Sequence, residues 1–233
     1  NDQKITVVAM IHTSSLSNAV LARRDRGISS VGDLKGKRVA ATQGTTSDFF
    51  LDMLLLTNGV PESAVQTVDL PAGKAAEALE TGEVDAASVF SPFSLSAAKT
   101  LGQNGVTFRD EDIYRQTFTL VASRDFVRTG SGKVRKVLRA LLQAEDFLRR
   151  YPAEAQKIVA EKCGLEPALL RELWNDAGFA VGLDQTLVLA LEEEAVWGIR
   201  HRLSPRTQVP NFLEYIDVQD LTAVRPSAVE ILR

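Results

Sequence analysis

Arg38-Val-Ala-Ala-Thr-Gln-Gly-Thr-Thr-Ser-Asp-Phe-Phe50 is the stretch from which the fold can be read. It opens with an apolar run of strand length, turns at Gly44 into small hydroxyl residues, and passes directly into a dense apolar helix over Phe49–Leu56. A strand that ends in Gly and feeds a helix start leaves backbone N–H groups free at the carboxyl end of a sheet. That is a place to hold an anionic or polar group of a small ligand. A purely structural role is equally open, since Thr45 with Asp48 three residues on is a near relative of a capping box. The phosphate-binding Gly-x-x-x-x-Gly-Lys-Ser/Thr pattern is absent.

Working outward, Ile5–Ile11 is a continuous β-branched run that predicts a strand buried on both faces. The polar cluster His12-Thr13-Ser14-Ser15 follows at its carboxyl end. Ala19–Ala22 reads as a short strand, stopped by Arg23-Arg24-Asp25-Arg26-Gly27, which reads as a solvated loop. Val31–Leu34 fits one helical turn, capped by Ser30 and ended by Gly36. Beyond the opening stretch come a strand at Gln66–Leu70, a helix over Lys74–Glu80 stopped by Gly82, and a strand at Asp85–Phe90. Ser91-Pro92 then starts a helix to about Leu101. Strands alternating with helices predict a parallel sheet covered by helices.

Val106–Phe108 and Phe118–Ala122 read as two more strands. After Gly130-Ser131-Gly132 the pattern becomes helical through Arg202, so a structural boundary is expected near Gly130. Leu170, Leu173 and Trp174 share one helical stripe, and Leu187, Leu191, Ala195 and Ile199 another; Trp174 and Trp197 are expected in the core. Lys133, Arg135, Lys136, Arg139, Arg149 and Arg150 make one helix basic, expected as a solvated face.

The 233 residues suffice for one large domain or two small lobes. A net charge of -3 argues against nucleic acid as a partner. The longest apolar run is far too short to cross a bilayer. Cys163 is the single cysteine, so neither an intrachain disulfide nor a thiolate cluster can form; its place on an apolar stripe predicts burial. His12 and His201 are the only histidines, and no spacing suggests a metal site or a nucleophile with its base. Neither catalytic residues nor cofactors are expected, and His12 is expected as an edge histidine.

Taken together, Ser30-Val-Gly-Asp-Leu-Lys-Gly-Lys-Arg-Val-Ala40, Gln43-Gly-Thr-Thr46 and Ala78-Leu-Glu-Thr-Gly-Glu-Val-Asp85 carry a resemblance. The chain resembles the substrate-binding proteins of ABC transporters for nitrate, sulfonates, taurine and thiamine-pyrimidine precursors, and the tail ending in Pro210-Asn-Phe-Leu-Glu-Tyr-Ile216 is similar as well. The resemblance implies an α/β fold of the type II periplasmic-binding kind, a two-lobed clamshell with the ligand in its cleft. Residues 1–22 and 118–233 would form the first lobe and residues 23–117 the second. Ala19–Ala22 and Phe118–Ala122 would lie close to the crossings between the lobes. The implied ligand-binding residues are Thr13, Ser14 and Ser15 from one lobe, with Gly44, Thr45, Thr46, Phe90 and Ser91 from the other. The implied function is capture of a small sulfonate- or nitrate-like anion for a membrane permease, by a monomer in the periplasm or another extracytoplasmic position, with or without a membrane anchor. The same fold also serves extracytoplasmic sensor domains of histidine kinases or cyclases, and pyrimidine-precursor synthases. Two departures from the family pattern stand out. A leading βαβα segment that members place before the strand at Ile5 is missing from the chain, which predicts weak ligand binding by these residues alone. Phe90-Ser91-Pro92 also replaces an aromatic–acid–Pro sequence, which disfavours a ligand amine there.

Overall fold

The structure, a computed structural model, describes residues 4–174 and 178–232. In chain order the elements are β1 (Ile5–Ser14), β2 (Asn18–Arg23), β3 (Arg38–Ala41), α1 (Thr46–Thr57), β4 (Gln66–Asp69), α2 (Ala72–Thr81), β5 (Ala86–Phe90), α3 (Phe93–Leu101) and β6 (Gly105–Phe108). There follow β7 (Gln116–Ser123), α4 (Arg124–Arg150), α5 (Pro152–Cys163), α6 (Pro167–Trp174), α7 (Gln185–Arg200) and α8 (Gln219–Val224). The chain divides into two units, one of Asn1–Ser14 with Thr117–Arg233, the other of Ser15–Gln116. The division falls before β2 because that strand belongs wholly to the second unit's sheet, so Ser15 and Ala19–Ala22 lie in the second unit rather than the first.

The second unit is built on a five-stranded sheet in the order β4-β3-β5-β2-β6. β3 runs parallel to β4 and β5, with α1 connecting β3 to β4 and α2 connecting β4 to β5. The expected all-parallel sheet is corrected by β2, which runs antiparallel to both β5 and β6. Ala19, Leu21, Ala87 and Val89 point to one face and pack with Ala75, Leu79, Ala97 and Leu101 of α2 and α3. The alternate residues face α1, whose Phe49, Phe50, Leu51, Leu54 and Leu55 are buried. Covering a sheet on both faces explains why its inner strands β2, β3 and β5 read as largely apolar runs.

The loop expected to be solvated at Arg23–Gly27 is in part a helix cap. Arg23 donates to the carbonyls of Leu79 and Glu80 at 3.0 and 2.9 Å, and Arg26 donates to that of Gly82 at 3.0 Å. α2 ends in a left-handed Gly82, and the arginines satisfy carbonyls that its last turn leaves open. Ser30 caps the turn Val31–Leu34 as expected, in a reciprocal capping box with Asp33. Four hydrogen bonds from Ser29 and Ser30 to that carboxylate hold its pKa down to about 2.

In the first unit β1 pairs with β7, and short bridges join Met10 to Gly182 and Val7 to Ile216. Its core gathers Val8, Met10, Leu138, Leu142, Leu183, Leu187 and Leu221. Helix begins at Arg124, ahead of the expected boundary; Gly130 is a kink inside α4, with non-helical φ/ψ of −119° and 21°. Beside the kink the buried carboxylate of Asp220 accepts from Ser131 at 2.6 Å and from Arg135 at 2.8 Å. Arg135 therefore leaves the solvated basic face to hold α4 against α8. Trp197 is buried and Trp174 half-buried, whereas Cys163, expected inside, is exposed at the end of α5.

Candidate functional site

The carboxyl ends of β3 and β5 lie side by side, so the turns that follow them share one edge of the second unit's sheet. Gly44 takes φ +71°, the left-handed conformation that the abrupt change from strand to helix requires. Its N–H donates to the Asp48 carboxylate at 2.9 Å, while Gln43 N–H donates to Asp69 at 2.9 Å. Thr45 occupies the N-cap position of α1 yet makes no side-chain cap; its hydroxyl instead donates to the Thr42 carbonyl at 2.7 Å and lies 3.0 Å from that of Ser47. The expected capping box is thus rearranged. The aspartate of the pair reaches Gly44 and the threonine turns back toward the strand.

That rearrangement decides which donors remain. Thr42 N–H points at the Ser47 hydroxyl, Thr45 N–H donates to Thr42 and Phe49 N–H to Thr45. Among the described residues, the N–H groups of Thr46 and Ser47 and the half-buried Thr46 hydroxyl have no acceptor or donor. Ser47 itself is fully buried, and its carbonyl accepts the Ser88 hydroxyl at 2.6 Å, which ties the first turn of α1 to β5. The turn therefore presents fixed positive dipole ends and one free hydroxyl, groups suited to an oxyanion.

Phe90 closes β5, half-buried, with its ring edge against Phe93 at 5.9 Å. Ser91 does not cap the helix that follows. Instead its hydroxyl meets that of Ser94 at 3.2 Å, Pro92 takes the cap position, and Ser91 N–H donates to the Ser17 carbonyl at 2.8 Å. Gly44, Thr45, Thr46, Phe90 and Ser91 are thus gathered at one sheet edge, and Ser15, in the segment before β2, belongs to the same unit.

Thr13 and Ser14 belong to the first unit and end β1, which runs three residues beyond the expected Ile11. Thr13 exchanges backbone hydrogen bonds with Gly178 at 3.0 and 2.9 Å. A Cβ on Gly178 would come within 2.6 Å of the Thr13 hydroxyl oxygen, so only glycine allows that approach. Ser14 is buried. His12 lies between the rings of Phe118 and Phe179, each with its centroid 5.0 Å away, in an apolar pocket of about 320 Å³ also lined by Ile11, Leu141 and Leu148. Sequence reasoning passed over Asn18, a buried amide at the head of an otherwise apolar strand. A lone amide before Ala-Val-Leu-Ala was the available signal.

Residues 1–155 match the family described as NMT1/THI5 like. A Bacillus subtilis protein named as an aliphatic sulfonates-binding protein is 26% identical over 216 residues, 92% of this chain and 63% of its own length. The chain spans about half the length of the first curated relatives it matches, 52% of theirs against 72% of its own. Among solved structures, the periplasmic aliphatic sulphonate binding protein SsuA of Escherichia coli superposes with a TM-score of 0.79 at 19% identity, covering 92% of this chain and 74% of that one. The desulfurization enzyme DSZB superposes at 0.70 with 14% identity, covering 97% and 80%. At these identities the likeness is one of fold, and the fold is that of the type II periplasmic binding proteins.

Proposed function

Because the chain belongs to the NMT1/THI5-like family, we propose that it is a solute-binding protein that captures a small sulfonate-like anion for uptake through an ABC transporter. The observation that carries this reading is the first turn of α1, where two N–H groups and the Thr46 hydroxyl await an acceptor. A sulfonate offers three oxygens that share one charge, which suits several neutral donors better than one cation. The names of relatives, among them the sulfonates-binding protein of Bacillus subtilis, support the same ligand class.

The proposed contacts are Gly44, Thr45, Thr46, Phe90, Ser91 and Ser15 in the second unit and Thr13 and Ser14 in the first. A helix N-terminus gives about 0.3–1 kcal/mol to an exposed anion, up to roughly 2 when partly buried. Micromolar affinity needs about 8 kcal/mol, so the turn requires the other contacts to make a site. An extracytoplasmic location and a permease partner follow from the same reading.

Titration calorimetry of the full-length protein with nitrate, ethanesulfonate and benzenesulfonate tests it. Micromolar binding of a sulfonate is expected, and no heat from any of the three would sink the proposal. We read the protein as a binder rather than an enzyme, so ethanesulfonate should be recovered unchanged after incubation. Released sulfite would replace capture by turnover.

A further inference from the structure

Asn18 is 3% exposed; its side-chain nitrogen donates to Gln116 Oε1 at 3.1 Å, while its Oδ1, shut off from solvent, meets no donor among the described residues. Buried polar atoms are nearly always bonded, so an orphaned acceptor asks for an absent donor. The strand register says where that oxygen lies. Asn18 opposes Phe90 and Val20 opposes Ser88, and the side chains of a directly opposed pair share one face of the sheet. The Ser88 hydroxyl reaches the Ser47 carbonyl, so this is the face that carries the first turn of α1. The neighbouring residues Ala19, Leu21, Ala87 and Val89 point the opposite way, into the α2–α3 core. Asn18 therefore stands one pair beyond Ser88 toward the sheet edge, on the side of the free Thr46 and Ser47 N–H groups.

Resting on the sulfonate reading above, we infer that Asn18 is a specificity-determining residue whose Oδ1 accepts a hydrogen bond from a hydroxyl carried by the bound anion. Donors at the α1 turn would take the sulfonate, and the acceptor on β2 would take a group a few bonds along the chain. A neutral acceptor suits a hydroxyl better than an ammonium; Phe90-Ser91-Pro92 supplies no carboxylate, and those of Asp48 and Asp69 at this edge already accept from the Gly44 and Gln43 N–H groups. The ligand class is thus a short hydroxyalkanesulfonate rather than a plain alkanesulfonate.

A matched pair of probes tests this on the full-length protein: 2-hydroxyethanesulfonate and propane-1-sulfonate, which differ by a hydroxyl in place of a methyl. Calorimetry should show the hydroxylated probe binding at least about tenfold tighter, because the unhydroxylated one leaves Oδ1 orphaned. Asn18→Leu should bring the two affinities together, with retained sulfonate binding showing that the variant is folded. Gln116→Leu removes the same Asn18–Gln116 hydrogen bond but keeps Oδ1, and should preserve the discrimination. Equal binding by the wild type overturns the assignment. Loss of discrimination in both variants overturns it too, reducing the amide pair to a shaping role. If neither sulfonate binds, the capture reading itself falls.

Discussion

Replacing Thr46 by valine separates a ligand-binding turn from a mere helix start. Thr46 is the first residue of α1, half-buried, and its hydroxyl has no partner among the described residues. The fold should therefore hardly notice the change. Thr and Val have about equal helix propensity, and substitutions away from special features stay within about 0.5 kcal/mol. A hydrogen bond to a charged group is worth about 1.5–3 kcal/mol, so losing one to a sulfonate oxygen should weaken binding by roughly ten- to a hundredfold. The same loss should appear in unfolding experiments. Ethanesulfonate at about 100 times its wild-type Kd stabilises the native state by about 2.7 kcal/mol, and a tenfold weaker variant would gain only about 1.4 at that concentration. Calorimetry with urea unfolding, with and without ethanesulfonate, measures both quantities. Unchanged affinity in Thr46→Val would refute the assignment of this hydroxyl. A large loss of stability without ligand would show that the turn is structural after all.

Three further outcomes follow from the same geometry. Arg23→Leu removes two hydrogen bonds to the end of α2 made by a side chain that is only 16% exposed, and should cost about 1–3 kcal/mol in urea unfolding. Arg135→Met leaves the carboxylate of Asp220, 3% exposed, with only the Ser131 hydroxyl as a side-chain donor among the described residues, and should destabilise the first unit by about 1–3 kcal/mol after allowance for the exposure of the arginine. Asp33 has its pKa held down to about 2 by the donors of Ser29 and Ser30, against about 3.9 for an unfolded chain. Its depressed value means that it contributes stability above pH about 4, lost as the pH falls toward about 2. Asn in its place should flatten that part of the profile, so the stability gap between wild type and Asp33→Asn should narrow between pH 5 and pH 2.5.

Much of the second unit was legible because local chemistry and global packing agree there. β3 and β5 are apolar runs closed by Gly or Pro, β4 is a short strand stopped before Pro71, and α1 and α2 follow β3 and β4 at the expected places. What could not be read was the direction of β2. Its sequence, Asn-Ala-Val-Leu-Ala-Arg, suits a central strand of either polarity, and only the pairing with β5 and β6 makes it antiparallel. Arg23 looked like part of a solvated charge run because its acceptors, the carbonyls of Leu79 and Glu80, are 56 and 57 residues away. Gly130 was a reasonable boundary signal, but a glycine can bend a helix as well as end one. At the candidate site, Gly44 and Thr46 were readable as a strand-to-helix turn, whereas the choice between cap and ligand site for Thr45 stayed open, because the bond of its hydroxyl back to Thr42 shows only in the fold. The missing partner of Asn18 was invisible, since being unsatisfied is a property of the packed state.

The pairing of Asn18 with Gln116 also bears on the order in which the chain can fold. These residues lie near the two ends of the second unit, which interrupts the first for about a hundred residues. Bringing Ser14 and Thr117 together across an open coil of that length would cost about 4 kcal/mol in loop closure. Once the five-stranded sheet forms and the amides meet, the interruption acts as a short pinned hairpin, and most of that entropy has already been lost within the second unit. The first unit, discontinuous in sequence, then assembles as though it were nearly continuous, so its refolding should be slower than, and conditional on, that of the residues inserted into it.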